Sequence, residues 1–219
     1  MKKAFSLIEV IIVITILAFV GSLFSASFYK NDLENAINRI TIYLKQTRYQ
    51  ALIDNKENLN DNLWHKKRWT LKFFRCDKNV GGLYYSIYSD INKTGHPGLE
   101  ESLNDPLSNK KVFSTNKCEY RNNTSKYVLL TKEFGIKEVD VSCNTTSSLG
   151  QISFDNDGKV YSKLSSYDNE HFEYELDSRC KITLKDYKND SLELFIEPKT
   201  GFVHRNNWKK NRKIETSKI

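Results

Sequence analysis

From Phe5 to Phe24 the chain is almost wholly apolar, and one charged residue, Glu9, stands inside the run. A helix needs about 20 such residues to cross a bilayer. A charge near the centre of such a helix costs roughly 2.5 to 3.5 kcal/mol, so an acid kept there is expected to have a partner. A plain secretory signal has a basic start, an apolar stretch of about 7–15 residues and a small-residue cut site, with no use for a carboxylate. Lys2 and Lys3 supply the basic start, and Ser25 and Ser27 could serve such a cut, which defines the plain alternative. Continuity speaks against it. Apart from Gly21, no helix breaker occurs between Ser6 and Asn55, and beyond the apolar run Leu33, Ile37, Ile40, Leu44 and Ala51 recur at helical spacing. One helix of about 50 residues, about 75 Å long, is the expectation.

The rest of the chain is large enough for one domain with a core, or two small ones. Aromatic residues at 12% exclude general disorder. Arg68–Phe74, Leu83–Ser89, Lys126–Leu130, Ile136–Cys143, Gly150–Phe154, Lys159–Leu164, Cys180–Leu184, Leu192–Glu197 and Phe202–His204 read as strands. Asn156-Asp157-Gly158 and Pro198-Lys199-Thr200-Gly201 read as hairpin turns. The fold class is therefore α+β: a long amino-terminal helix, membrane-spanning in its first half, packed on antiparallel sheets. The four cysteines, Cys76, Cys118, Cys143 and Cys180, all lie beyond the apolar run. With the lysines on the cytoplasmic side they face an oxidising space, and two disulfides are expected. Three pairings are open, with Cys76–Cys118 and Cys143–Cys180 favoured. No Cys-x2-4-Cys pair or useful histidine spacing suggests zinc.

Ala4-Phe5-Ser6-Leu7-Ile8-Glu9-Val10 resembles the class III signal of type IV prepilins and type II secretion pseudopilins. The resemblance implies a cut by prepilin peptidase between Ala4 and Phe5, where Ala4 replaces the family's usual Gly, followed by N-methylation of Phe5. It also implies that Glu9 pairs with the free amino terminus of a neighbouring subunit, a contact that a low-dielectric layer strengthens. Tyr43–Leu52, QISFDNDGKVY at 151–161 and ITLKDYKNDSLELFIEPKTGFVH at 182–204 are similar, in order, to segments of the GspH/FimT group of minor subunits. The implied organisation is a leader at 1–4, a transmembrane helix half at 5–28, an amphipathic half at 29–55, a β-rich domain at 56–204 with an individual insert at 76–148, and a basic tail at 205–219. The implied location is the inner membrane with the domain in the periplasm, or an extracytoplasmic pilus.

Within the insert, Asp90, Asn92, Thr94 and Glu101 stand at the first, third, fifth and twelfth positions of a calcium-type loop with Gly95 at the sixth. No cofactor is required, and calcium is the one candidate. A solvated polar loop is the plain reading. Asp90-x-Asn92-x-Thr94 also resembles a bacterial N-glycosylation acceptor, with the glycan on Asn92.

Of the net charge of +7, Lys2 and Lys3 carry two, and residues 202–219 carry five, with six basic residues against Glu215. Arg205, Trp208, Lys209, Lys210, Arg212 and Lys213 could neutralise phosphates and stack on a base, making DNA a candidate partner. A solvated tail is the plain alternative. The acid-rich Asp168–Asp177 reads as a half-exposed strand or loop, and no catalytic motif appears, so an enzyme is not expected. The function classes are a minor pilin or pseudopilin, a DNA-binding minor pilin of a competence system, and an ordinary anchored or secreted binding domain.

Overall fold

The computed structural model describes the backbone of residues 7–25 and 32–205, with side chains for 7–19 and 32–205. Helix α1 spans Leu7–Ser25. Helix α2 spans Asp32–Ile53. Whether one helix continues between them falls on residues 26–31, outside the described residues.

The α2 sequence buries Leu33, Ala36, Ile37, Ile40, Tyr43, Leu44 and Ala51 along one stripe, each fully buried aliphatic contributing about 1.5–3 kcal/mol. Two threonines share that stripe. Thr41 and Thr47 donate their hydroxyls to the carbonyls of Ile37 and Tyr43, both at 2.7 Å, which answers the polar group inside the apolar face. Asp32 and Glu34 in the first turn suit the positive end of the helix dipole.

Two four-stranded antiparallel sheets pack on α2. The first contains β1 (Trp69–Arg75), β2 (Leu83–Ser89), β4 (Gln151–Phe154) and β5 (Val160–Tyr161), in the order β2-β1-β4-β5. The second contains β3 (Ile136–Val141), β6 (Cys180–Asp186), β7 (Ser191–Ile196) and β8 (Val203–Arg205), in the order β3-β6-β7-β8. The β-favouring runs thus form the strands their composition suggests, with one correction. Lys126–Leu130 is a 3-10 turn at Lys126–Val128 running into a short helix, α3 (Leu130–Phe134). Gly135 ends α3 in the left-handed conformation at φ 62°, and the Thr131 hydroxyl donates to the Ile136 carbonyl while accepting from the Leu83 amide. These local hydrogen bonds outweigh the strand propensity of a short apolar run.

The insert supplies β2 to the first sheet and then folds back along it. Every residue of β2 is buried, because chain from the insert lies along its outer edge: the Ile87 amide donates to Val112, the Leu103 amide to Ile87, and the Ser89 amide to Glu101. Disulfides join Cys76 to Cys118 and Cys143 to Cys180, with Cα atoms 5.8 and 5.3 Å apart. Each ties residues about 40 positions apart, a constraint on the unfolded chain of order 3–4 kcal/mol in the chain-entropy account.

The two sheets meet where their hairpins turn. Gly158, in the β4–β5 turn, and Gly201, in the β7–β8 turn, both have positive φ, and a Cβ on Gly201 would stand 2.7 Å from the Gly158 carbonyl and 2.9 Å from the Phe154 ring. Arg48 of α2 closes the junction by donating from Nε to the Thr200 carbonyl at 2.6 Å. The Val160 amide adds a bond to the Pro198 carbonyl at 3.0 Å. The helix end and the two turns singled out by resemblance therefore meet at one point.

Candidate functional site

Helix α1 carries the first site. Every side chain from Leu7 to Phe19 is exposed, so the helix presents apolar groups all round and no polar face. Such a surface is stable against lipid or other helices rather than water. Glu9 is exposed in the first turn, where the helix dipole favours a carboxylate. Thr15, the other polar group among these side chains, donates its hydroxyl to the Ile11 and Ile12 carbonyls at 3.0 and 2.8 Å, which removes it from demand on the surroundings. Ala4 and Phe5 lie outside the described residues. Among the described residues, no helix is long and apolar enough to cross a membrane.

The basic tail is described only at its start. Arg205 ends β8 and faces back into the body: its Nη1 and Nη2 meet the two carboxylate oxygens of Glu34, the second at 3.1 Å, and Nη1 also donates to Asn38 Oδ1 at 2.6 Å. The arginine holds the Glu34 carboxyl below the ordinary range. Arg205 thus ties β8 to α2 instead of presenting a guanidinium outward. Trp208, Lys209, Lys210, Arg212 and Lys213 lie outside the described residues.

In the insert loop, Asp90, Asn92, Thr94 and Glu101 do come together, but their oxygens serve the backbone. Asp90 accepts the amides of Thr94 and Gly95 at 3.0 and 2.8 Å, and Glu101 accepts those of Asn92 and Gly98 at 2.9 and 3.1 Å. Asn92 Oδ1 accepts the Thr94 amide at 3.0 Å. Asn92 is exposed, as a glycan acceptor must be. Among the described residues, no group of three or more His, Cys, Asp or Glu could hold a metal ion.

A further cluster was not singled out in the sequence. Arg68, the last basic residue of the run Trp64-His65-Lys66-Lys67-Arg68-Trp69, is only 3% exposed. Its guanidinium lies 3.8 Å from the Tyr161 ring centre and 4.9 Å from that of Trp64, and Nη1 donates to the His171 carbonyl at 2.6 Å. His65 is buried beside it, with Nε2 3.1 Å from the Ser165 carbonyl. Burial pulls both the Arg68 and the His65 pKa down. Arg68 Nε and Nη2, Trp64 Nε1, His65 Nδ1 and His171 Nε2 are buried with no hydrogen-bond partner among the described residues. A run of lysines and arginine ordinarily reads as a solvated face; its aromatic ends and internal histidine were the signal that one of its members turns inward.

Compared with known proteins, residues 1–25 match the family model of the prokaryotic N-terminal methylation motif. No curated protein and no solved structure matches the chain.

Proposed function

From the methylation motif that residues 1–25 share with type IV prepilins and pseudopilins, we propose that this chain is a minor structural subunit of a type IV pilin-like assembly. Prepilin peptidase cuts between Ala4 and Phe5 and methylates Phe5. The α1 segment then resides in the inner membrane and packs against other subunits, with the body from Asp32 on the periplasmic side. The observation that carries this reading is Glu9 in the first turn of a helix whose described side chains are all exposed and almost all apolar. A new ammonium at Phe5 of a neighbouring subunit supplies the charge that a carboxylate in a low-dielectric layer requires. The meeting of Arg48, Gly158 and Gly201 at one junction supports membership of the GspH/FimT group. Mass spectrometry of the mature amino terminus tests the proposal: methylated Phe5 is expected, and a terminus near residues 26–28 overturns it in favour of an ordinary cleaved signal.

A second reading adds DNA as a partner, supported by the +5 carried by residues 202–219. With Arg205 committed to Glu34, the contact falls to Trp208, Lys209, Lys210, Arg212 and Lys213. Deleting residues 206–213 is expected to abolish salt-sensitive DNA binding. Binding unchanged by the deletion removes this reading.

A further inference from the structure

Five asparagines of the chain stand two residues before a serine or threonine, and of these Asn92 alone has an acid, Asp90, two places ahead of it. Asp90, Asn92 and Thr94 thus set an acid, an amide and a hydroxyl at alternate positions, the pattern of a bacterial N-glycosylation acceptor. The fold treats the three differently. Asn92 is exposed, and its Oδ1 accepts the Thr94 amide at 3.0 Å. Its Nδ2, the atom that takes a glycan, makes no hydrogen bond among the described residues. Thr94 is exposed as well, and its hydroxyl makes one long bond, to the His96 carbonyl at 3.4 Å. Asp90 is only 5% exposed, with Oδ1 and Oδ2 accepting the Thr94 and Gly95 amides at 3.0 and 2.8 Å. Glu101 closes the loop from its far end by accepting the Asn92 amide at 2.9 Å. Lys93, between the amide and the hydroxyl, holds φ at 60° and pairs with Asp61 at 2.5 Å.

The product suits this loop and the reaction does not. A glycan on Nδ2 of an exposed side chain breaks none of the hydrogen bonds that close the loop. A transferase that reads the acid together with the amide needs Asp90 released from both of its amides, which the closed loop forbids. We propose that Asn92 is a glycan attachment site, filled while the exported chain is still unfolded and then fixed at the surface when Asp90 and Glu101 close the loop. In that step a bond forms between Asn92 Nδ2 and C1 of the first sugar of a polyprenyl diphosphate oligosaccharide. The bond from C1 to the diphosphate oxygen breaks, the lipid diphosphate leaves with the electron pair, and one amide proton passes to a base on the transferase.

Peptide mapping of the full chain from its own cells by mass spectrometry tests the site. An oligosaccharide mass on Asn92 is expected, lost in Asn92→Gln and in Thr94→Ala and kept in Thr94→Ser. A native peptide at its bare mass overturns the proposal, as does a glycan that persists in Thr94→Ala. The order of events is tested on the purified chain in detergent, either folded with both disulfides or reduced and alkylated. Each form is offered a polyprenyl diphosphate oligosaccharide and a bacterial oligosaccharyltransferase. The alkylated chain is expected to gain one glycan, and the folded chain to react at least about tenfold more slowly because its loop must open first. Equal rates overturn modification before closure. The site needs only export of the body, which an anchor and a cleaved signal both provide. Methylated Phe5 with a bare Asn92 therefore removes this proposal alone, and a terminus near residues 26–28 with a glycan on Asn92 removes the assembly reading alone.

Discussion

Arg205 and Arg68 sit toward opposite ends of α2 and solve the same problem in opposite ways. Arg205 stands partly in solvent and meets a carboxylate with two nitrogens and an amide oxygen besides. Arg68 is deeper and meets two ring faces and one carbonyl, with no carboxylate in contact among the described residues. The better paired arginine is in the shallower place. An ion pair near the surface holds parts together at little cost in desolvation, while burial without a counter-ion is tolerated only where packing and hydrogen bonds constrain the group heavily.

The largest effect is expected from Arg68→Ala, which removes the packing of two aromatic rings and orphans the His171 carbonyl; a loss of about 3 kcal/mol is expected by denaturant unfolding. Arg68→Met keeps most of the volume while discarding the buried charge, and is expected to recover most of that loss. Equal losses in the two variants mean that the charge, and not the packing, carries the stabilisation. Next is the junction that separates the two arginine regions: Gly201→Ala puts a methyl group 2.7 Å from the Gly158 carbonyl at positive φ, for about 2 kcal/mol. A Tm within error of the parent shows that the hairpins can part without cost.

The pH dependence divides the two regions by window. Burial holds His65 below its ordinary value of 6.5, so the unfolded chain takes up this proton first as pH falls. Its contribution to stability is complete above about 6.5 and declines below it, by at most about 1.4 kcal/mol per pH unit. Replacing His65 by Gln is expected to flatten the stability profile between about pH 6.5 and 5, and an unchanged slope sinks the assignment. Glu34 is shifted down from 4.5 by Arg205, so its contribution is present above that value and disappears only as pH falls through its lower folded pKa. The smallest effect is Arg205→Ala, about 0.5 kcal/mol for a partly exposed pair, read most clearly as loss of the acid-side slope that belongs to Glu34.

These comparisons also mark what the sequence could reveal. A run rich in aromatic and β-favouring residues located Leu83–Ser89 at its observed bounds, because a strand in a sheet core is dictated by local composition. The stripe of α2 was legible for the same reason, its period being a property of the helix itself. Lys126–Leu130 was misread as a strand because its fate turns on Thr131 bonding to Leu83 and Ile136, one of which is 48 residues away. The aromatic ends and internal histidine of its run marked Arg68 only as a residue that could turn inward, and its surroundings were illegible on similar grounds: its neighbours Tyr161 and His171 come from segments some 100 residues further along. Glu9 was the opposite case. An acid inside an apolar run is anomalous by sequence alone, and no tertiary knowledge is needed to notice it.

The strip of insert laid along β2 has a consequence for life in a crowd. Along that edge the Ile87 amide and carbonyl and the Ser89 amide are bonded to Val112, Leu103 and Glu101, and the Leu83 amide to the Thr131 hydroxyl. At the other margin of the same sheet, β5 is two residues long, with Val160 bonded to Pro198 and Leu176 and the following Ser162 to Tyr174. An open margin is a template on which a stray strand can be added. With most of both margins taken up by its own chain, this sheet gives a neighbouring copy little to extend, and many bodies can lie side by side without fusing.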